Sequence, residues 1–316
     1  MNILANDGIS ESGVDALNSY GFNVITNNVA QEQLVDYINT NSIEIILVRS
    51  ATTIRKDLID LCPNIKLIGR GGVGMDNIDV EYARKKNIHI INTPAASSSS
   101  VAELVFAHLY GGVRFLYDSN RNMPLEGESN FKVLKKNYSK GIELRGKTIG
   151  IIGLGRIGQE VAKIAIGIGM DVIACDEYHK KVDIDINFTK NKKLTFKIKT
   201  ISKIELLKKA DFVTLHIPAQ KNYIIDSEEI NLMKNGSAII NAARGGVINE
   251  VSLIAALDSG KLSFACLDTF EEEPKPEIKI LMHPKISLTP HIGAATKEAQ
   301  DRIGLELAKQ IKDIFK

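Results

Sequence analysis

The sequence predicts an α/β protein with two doubly wound parallel-sheet domains. The first ninety residues and residues 147–290 each alternate short apolar runs with amphipathic stretches of helical length. This alternation favours parallel sheets, because each parallel strand connects to the next through a crossover helix. The length of 316 residues also suits two cores better than one.

The first block predicts five strands with helices between them. Helices are expected over Glu11–Ser19 and Gln31–Asn39, and Asn28 with Gln31 gives the second helix a capping-box signal. The five expected strands are Asn2–Ala5, Phe22–Ile25, Glu44–Val48, Lys66–Ile68 and Ile88–Ile91.

A connecting segment, residues 97–145, joins the two blocks. Ser97–Tyr117 predicts a long helix, and Asp118–Arg145 is expected to be irregular. After the second block, Ala294–Phe315 predicts a final helix that packs back on the first block. The expected domains are residues 1–96 with 292–316, which form a discontinuous domain, and residues 97–291.

Charge and composition argue against several classes of partner. Forty basic and 38 acidic residues leave a net charge of +2, which provides no general attraction for nucleic acid or a membrane surface. No apolar stretch reaches the roughly 20 residues that a membrane helix needs. Cys62, Cys175 and Cys266 are scattered and lack metal-ligand spacing, so we expect reduced thiols in a cytoplasmic protein and no metal site.

A lysine-rich segment, residues 179–209, interrupts the second block. It holds ten lysines and three acidic residues and includes the alternating run Leu194–Lys199. We expect a surface hairpin here. A nucleic-acid patch is the alternative, but aromatic residues for base stacking are sparse, which favours a solvated face.

A glycine-rich turn opens the second block. Lys147–Ile152 predicts a buried strand, followed by Gly153-Leu154-Gly155-Arg156-Ile157-Gly158 and the helix Gln159–Ile168. In this pattern the glycines allow a tight turn, close approach of a diphosphate to the backbone, and strand–helix packing. Asp176 follows the next strand, 18 residues after Gly158, and its carboxylate would bind the adenosine ribose and repel a 2′-phosphate. The sequence thus predicts a Rossmann domain that binds NAD in preference to NADP.

Three ionisable side chains follow later strands of this block. Arg244, Glu273 and His291 each come just past an apolar run of strand length. Because ligands bind at the carboxyl ends of parallel strands, the three should converge on one pocket. Arg244 would grip a carboxylate, His291 would exchange a proton near neutral pH, and Glu273 would orient the imidazole. The apolar runs are Ser237–Ile240, Ser263–Leu267 and Ile286–Leu288.

Together these motifs resemble the D-isomer-specific 2-hydroxyacid dehydrogenase family, over nearly the whole chain. In that family the arginine, the glutamate before a proline, and the histidine are catalytic, which implies these roles for Arg244, Glu273 and His291. Spacing alone would not separate Glu273 from Glu271 and Glu272. The segments that carry the resemblance are Gly153–Gly158, Asn241–Gly246, Asp268–Pro274 and Thr289–Gly293.

The resemblance also implies a flavodoxin-like substrate domain and further cofactor contacts. The loop His216-Ile217-Pro218 would line the cofactor, with His216 acting through its backbone, and Ala242 would also contact it. Asp268 would either meet the nicotinamide end or hold its own turn. The remaining histidines are expected to be structural; they are His89, His108, His179 and His283.

Within the family, the chain is most similar to the phosphoglycerate dehydrogenase branch. The similar segments are Ile46–Thr52, Gly69–Asn77, Asn92–Pro94 and Val101–Leu104. The branch implies oxidation of D-3-phosphoglycerate to 3-phosphohydroxypyruvate with NAD, which is the entry to serine biosynthesis. It also implies a short form without C-terminal regulatory domains, and a homodimer built through residues 97–145.

Candidate substrate contacts lie after strands of the first domain. Arg49 and Arg70 are candidates for binding a phosphate, and Gly71-Gly72-Val73-Gly74 would present consecutive amides as an anion nest. An unphosphorylated substrate needs neither arginine, so a hydroxypyruvate/glyoxylate reductase or a D-lactate dehydrogenase is an alternative. A non-catalytic NAD-sensing corepressor is an alternative from another class.

Overall fold

The computed structural model describes residues 1–188 and 192–316 and divides the chain into two compact units. Unit 1 comprises Met1–Ser100 with Ala294–Lys316, and unit 2 comprises Val101–Gly293. The sequence predicts the first boundary after residue 96 and the second after residue 291, which are four and two residues earlier. Within the described residues, no helix is both long enough and apolar enough to cross a bilayer.

Unit 1 contains a five-stranded parallel sheet with the strand order β2-β1-β3-β4-β5. The central strand β3 is apolar from Ile45 to Val48 because both of its faces are covered there: Ile46 and Val48 join one hydrophobic cluster, while Ile45 and Leu47 join the other. The elements up to the connecting segment are β1 (Asn2–Ala5), α1 (Glu11–Ser19), β2 (Asn23–Ile25), α2 (Leu34–Thr40), β3 (Ile43–Val48), α3 (Lys56–Leu61), β4 (Leu67–Arg70), α4 (Val80–Lys85) and β5 (His89–Asn92).

The start of α2 differs from its prediction. A short 3₁₀ turn, Gln31–Gln33, precedes the helix, and the residue before that turn makes no side-chain cap. Asn28 instead donates from its side chain to the carbonyl of Asn6, at 2.9 Å. Its amide therefore fastens a loop, and the expected capping box is wrong.

Unit 2 contains a six-stranded parallel sheet with the order β13-β12-β11-β10-β6-β7, so the prediction of two doubly wound sheets is confirmed. In this order β7 lies on one side of β6 and β10 lies on the other, so the direction of the strand connections reverses at β6. Sheets of this type bind ligands at such a switch point. Its elements are α5 (Ser98–Val113), α6 (Leu116–Asn137), β6 (Thr148–Ile152), α7 (Arg156–Gly167), β7 (Asp171–Cys175), β8 (Lys181–Phe188), β9 (Lys192–Lys199), α8 (Lys203–Lys209), β10 (Phe212–Leu215), α9 (Ser227–Leu232), β11 (Ser237–Asn241), α10 (Glu250–Asp258), β12 (Leu262–Leu267), α11 (Ile278–Leu281) and β13 (Ile286–Leu288).

The last helix, α12 (Lys297–Phe315), packs in unit 1 against α1. The two helices approach so closely that a Cβ on Gly13 would lie 2.8 Å from the Cα of Gly304. The helix begins three residues later than predicted because the Thr296 hydroxyl caps it, accepting from the amide of Ala299 at 3.2 Å.

The connecting segment is more helical than predicted. The expected helix is divided by Phe115, whose φ of 56° is left-handed, and the expected irregular stretch is helical as far as Asn137. Pro124 lies inside α6, and the non-helical dihedral angles of Asn130 mark a kink that joins two helical stretches. The proline, the glycine and the polar residues of this stretch therefore do not indicate its helical structure.

The lysine-rich segment contains the predicted hairpin, with β8 and β9 antiparallel. The tip of the hairpin falls outside the described residues. Ile184 and Ile198 bury one face against the core of unit 2, whereas lysines and the aspartates Asp183 and Asp185 share the other face. The hairpin ends earlier than predicted, because residues 203–209 form α8, which Ser202 caps.

Candidate active site

The glycine-rich turn between β6 and α7 has three glycines in three different surroundings. Gly153 has a φ of 94°, and a Cβ there would collide with the carbonyl of His216. A Cβ on Gly158 would collide with the carbonyl of Gly153, whereas a Cβ on Gly155 would meet nothing within 4 Å. The first and third glycines thus allow internal packing. The second faces open space, on the side where a diphosphate would approach the backbone.

The start of α7 is suited to an anion. Gly155 is the N-cap residue and supplies no side-chain oxygen to the first amides of the helix. Arg156 and Ile157 form the first turn, where amide donors and the helix dipole favour negative charge. These residues fit the diphosphate of NAD, which the sequence assigns to this turn.

Asp176, just past β7, ties the turn to the next strand. One of its oxygens accepts from the amide of Leu154 at 2.6 Å. The other accepts from the amides of Tyr178 and His179, each at 2.8 Å, and from the His179 ring at 3.0 Å. Burial opposes ionisation of Asp176, but the backbone hydrogen bonds outweigh it and lower its pKa below the ordinary value. Asp176 is therefore an ionised carboxylate at the expected ribose position.

The loop after β10 contacts the turn through its backbone. The His216 carbonyl lies against Gly153, and its amide donates to the carbonyl of Ile152 at 2.7 Å. Its ring bonds the Thr214 hydroxyl at 2.9 Å, and burial lowers the pKa of His216 to about 3. The imidazole is thus neutral and internal. This agrees with a backbone role for His216, while cofactor contacts of Ile217, Pro218 and Ala242 stay predictions.

Arg244, Glu273 and His291 all follow neighbouring strands at the carboxyl edge of the sheet. The strand ends lie side by side, since Asn241 pairs with Leu267 and Leu267 pairs with Leu288. The Nδ1 atom of His291 lies 2.8 Å from Oε2 of Glu273. Both side chains are about one-third exposed, at 38% and 36%, so a small molecule can reach the pair.

The charge of Arg244 also acts on this pair. Burial opposes ionisation of Glu273. The hydrogen bonds from His291 and the amide of Phe270, together with the charges of His291 and Arg244, outweigh burial and lower the pKa of Glu273. The carboxylate is thus held ionised beside the imidazole, as an orienting group requires.

Two residues that the sequence analysis did not single out shape the Arg244 turn. The side chain of Asn241 accepts from the amide of Ala243 at 3.0 Å and donates to the carbonyl of Arg244 at 2.8 Å. A Cβ on Gly245 would collide with the carbonyl of Phe270, so glycine lets the ends of β11 and β12 approach. The sequence signal for both was their place in the Asn241–Gly246 motif.

Asp268 holds the loop that carries His291. Its side chain is buried, at 1% exposure, and accepts from the Thr289 hydroxyl at 2.6 Å. It also accepts from the amides of Ile292 at 2.8 Å and Gly293 at 2.9 Å. Asp268 thus holds the loop after β13 and not its own turn, Asp268–Pro274, and its contact with the nicotinamide stays a prediction.

The candidate phosphate-binding residues lie at the carboxyl edge of the unit 1 sheet. Arg49 directly follows β3, and Arg70 is the last residue of the neighbouring strand β4. The backbone of Arg49 is fixed on both sides: its amide donates to Asp7 at 2.6 Å, and its carbonyl accepts from Asn77 at 2.9 Å. The Arg70 guanidinium lies against Gly72, where any Cβ would collide with it.

The glycine-rich segment after β4 only partly matches the expected anion nest. The amides of Gly71 and Gly72 donate to the carbonyls of Val48 and Arg70, at 2.8 Å and 2.9 Å. The consecutive amides that a nest needs are thus confined to Val73 and Gly74, and Gly72 is not one of them.

Among the described residues, no group of three or more His, Cys, Asp or Glu side chains is placed to hold a metal ion.

Fold and site together define a class: a dinucleotide-binding α/β protein with an acid–base pair at the edge of the same sheet. A model of the "D-isomer specific 2-hydroxyacid dehydrogenase, NAD binding domain" matches residues 106–293. The chain belongs to this family, and its unit 2 contains the NAD-binding domain.

Several similar proteins match this chain over nearly its whole length. It is 40% identical to a D-3-phosphoglycerate dehydrogenase of Methanocaldococcus jannaschii, over 100% of this chain and 58% of the relative. It is 38% identical to a hydroxypyruvate reductase of Thermotoga maritima, over 97% of this chain and 95% of the relative. The crystal structure of a glyoxylate reductase from Paecilomyes thermophila matches with a TM-score of 0.81 at 27% identity, covering 99% and 94% of the two chains. The chain thus spans a little over half of the phosphoglycerate dehydrogenase.

Proposed function

We propose that this protein is an NAD-dependent dehydrogenase that oxidises D-3-phosphoglycerate to 3-phosphohydroxypyruvate, a reaction that leads to serine. The observation that carries the proposal is the His291–Glu273 pair, 2.8 Å apart, at the sheet edge that also carries the glycine-rich turn. A base beside a cationic side chain at that edge suits removal of a proton from a hydroxyl next to a carboxylate.

Each residue of the trio has a distinct task. Arg244 binds the substrate carboxylate and the oxygen of the reacting carbon, which holds that carbon in one orientation. His291 accepts the hydroxyl proton during oxidation and returns it during reduction. Glu273 is bonded to Nδ1 of His291, so it leaves Nε2 for the substrate and stabilises the imidazolium. Bound NAD supplies the hydride acceptor.

The substrate's phosphate gives Arg49 and Arg70 their proposed role. Guanidinium groups bind phosphate in a bidentate manner, and both arginines follow neighbouring strands of one sheet. The amides of Val73 and Gly74 would bind the substrate's carboxylate beside them. A preference for NAD over NADP is supported by the ionised Asp176, because a carboxylate repels a 2′-phosphate.

A hydroxypyruvate reductase is the second candidate, on one specific observation. The Thermotoga enzyme of that name matches end to end, at 95% of its own length. Its reaction would use the same trio, but it needs no phosphate-binding arginine.

The deciding experiment compares four 2-keto acids as oxidants of NADH: phosphohydroxypyruvate, hydroxypyruvate, glyoxylate and pyruvate. We expect the highest kcat/KM with phosphohydroxypyruvate. A higher kcat/KM with hydroxypyruvate would select the second candidate. Tight NADH binding with negligible turnover of all four would contradict both and favour an NAD-sensing role.

We also propose that the protein is a homodimer through residues 97–145. Apolar side chains of α5 and α6 are exposed in the single chain, which is typical of a surface that a partner covers. Sedimentation should give about twice the chain mass of 34.7 kDa, and a monomer mass would contradict the proposal. The exposed side chains are Tyr110, Leu116, Met123, Leu125, Phe131 and Val133.

A further inference from the structure

His108 is a buried histidine that the proposed reaction does not use. It lies on α5 and is only 5% exposed, between Phe106 and Leu109, which belong to an apolar cluster of unit 2. Both of its ring nitrogens have partners: Nδ1 is 2.9 Å from the Ser287 hydroxyl, and Nε2 is 2.8 Å from the Thr289 hydroxyl. Ser287 and Thr289 lie two residues apart along β13 and its end, so they present their side chains to the same face.

Proton counting fixes the direction of these hydrogen bonds. The Thr289 hydroxyl has a single proton and donates it to Asp268 at 2.6 Å. Thr289 must therefore accept from His108, which places a proton on Nε2 of the ring. Burial lowers the pKa of His108 despite the nearby charge of Asp268, so the ring is neutral. A neutral ring with a proton on Nε2 accepts at Nδ1, and the Ser287 hydroxyl donates there.

The chain of bonds ends at the loop that carries the proton-transferring imidazole. Asp268 accepts from the amides of Ile292 and Gly293, the two residues that follow His291. His291 itself has a φ of 53°, a left-handed conformation that a non-glycine residue keeps only when its surroundings impose it. Here the hydrogen bonds that Asp268 accepts from the amides of Ile292 and Gly293 impose this conformation on His291.

We infer that His108 is a positioning residue for His291, acting through the hydroxyl of Thr289. The inference rests on the proposed function of His291 and deepens it. Without the donor from His108, the Thr289 hydroxyl can rotate, and Asp268 loses the partner that orients one of its oxygens. The loop after β13 is then less firmly held, and Nε2 of His291 is misplaced with respect to the substrate.

Two substitutions separate this role from plain core packing. In His108→Gln the side-chain amide nitrogen reaches about as far as Nε2, so a donor to Thr289 is retained. In His108→Asn it reaches only as far as Nδ1, so the donor to Thr289 is lost while a polar group still faces Ser287. Both variants lose the ring, and a role in packing alone would penalise both.

The first measurement is kinetic. His108→Asn should lower kcat by about tenfold, since small misplacements of catalytic groups are costly. Its KM for NADH should not change, and the midpoint of its pH profile for kcat/KM should shift. His108→Gln should stay within about threefold of the wild type, with an unchanged profile. Equal losses in the two variants, or a lower melting temperature with an unchanged profile, would overturn the inference.

The second measurement does not depend on turnover. Hydrogen exchange of the Ile292 and Gly293 amides should be faster in His108→Asn than in the wild type, and near wild type in His108→Gln. Nitrogen chemical shifts of the ring should also report the Nε2-protonated form of His108. If the wild type turns over no 2-keto acid, the proposed function fails. The positioning role of His108 is tested separately, because unchanged hydrogen exchange in both variants would refute it.

Discussion

The carboxyl edges of the two sheets hold their charged residues in different ways. In unit 2, functional side chains hold one another: Glu273 bonds the ring of His291 at 2.8 Å, and Asp268 grips the amides that follow it. In unit 1, the contacts described for Arg49 are to its backbone, through Asp7 and Asn77. One edge thus fixes the side-chain atoms that we propose to react, and the other fixes the point from which a long side chain extends.

This difference matches two kinds of chemistry. Proton transfer requires donor and acceptor atoms within hydrogen-bond reach, so small displacements reduce the rate. Anion binding by an arginine tolerates movement, because its guanidinium offers several donors on a flexible stem. We therefore expect substitutions at the unit 2 edge to act mainly on kcat, and those at the unit 1 edge mainly on KM.

The largest effect is expected at His291. Replacing it with glutamine removes the proton-transferring group, and kcat should fall by about a thousandfold, within the range for general acid–base catalysis. Binding of NADH, followed by fluorescence titration, should not change. The matched control is His89→Gln, an exposed histidine of unit 1, which should keep full activity. Loss of less than about tenfold in His291→Gln would disprove its role.

Arg244→Lys should produce the next largest effect. Lysine keeps the positive charge near Glu273 but loses the planar fork that binds a carboxylate and a carbonyl oxygen together. We expect kcat/KM for the 2-keto acid to fall by about a hundredfold, as when one transition-state donor is removed. A lysine variant with wild-type kinetics would show that charge alone suffices, and the distinction between the two edges would weaken.

A smaller effect, visible mainly in the pH profile, is expected for Glu273→Gln. The pKa of Glu273 is lowered, so its charge is present above the ordinary carboxyl value of 4.5 and is lost only as pH falls through its lower folded value. At neutral pH the carboxylate is thus charged and holds the ring of His291 in one orientation. Removing the charge should lower kcat by roughly tenfold and remove the loss of kcat/KM that protonation of Glu273 causes at acidic pH.

Glu272→Gln is the control for that measurement, since Glu272 is an exposed neighbour that the sequence spacing alone does not distinguish from Glu273. Its pH profile should match the wild type. If the pH profile changed in Glu272→Gln and not in Glu273→Gln, Glu272 would be the residue that orients His291. That result would contradict the site described above.

Patterns within a strand or a turn made much of this predictable. The unit 2 strand Ile286–Leu288 appears with the predicted bounds, and the strands predicted at Ser237–Ile240 and Ser263–Leu267 are each one residue longer, because a buried parallel strand is a short continuous apolar run. The glycine-rich turn was recognisable because its three glycines fall at fixed spacing between a strand and a helix, and Gly153 and Gly158 leave room for neighbouring carbonyls. The connecting segment was not, since α6 is helical through Pro124 although proline normally interrupts a helix.

Contacts between distant residues account for most of what the sequence did not reveal. His108 meets Ser287 across 179 positions, and a lone histidine on an apolar helix gives no sign of its partner. His108 likewise meets Thr289 across 181 positions. Neither contact is encoded in spacing or composition. Both arise because the fold brings separate segments together.

The smallest effect is expected at the unit 1 edge, and it tests the comparison most directly. Arg49→Ala should raise KM for phosphohydroxypyruvate by about tenfold or more, the value of one charge-assisted hydrogen bond, with little change in kcat. KM for hydroxypyruvate should hardly move, because that substrate has no phosphate. Arg55→Ala is the control, since Arg55 is an exposed arginine of unit 1 paired with Asp79. Equal changes with both substrates would remove the phosphate argument, and a fall in kcat would mean that Arg49, too, fixes reacting atoms.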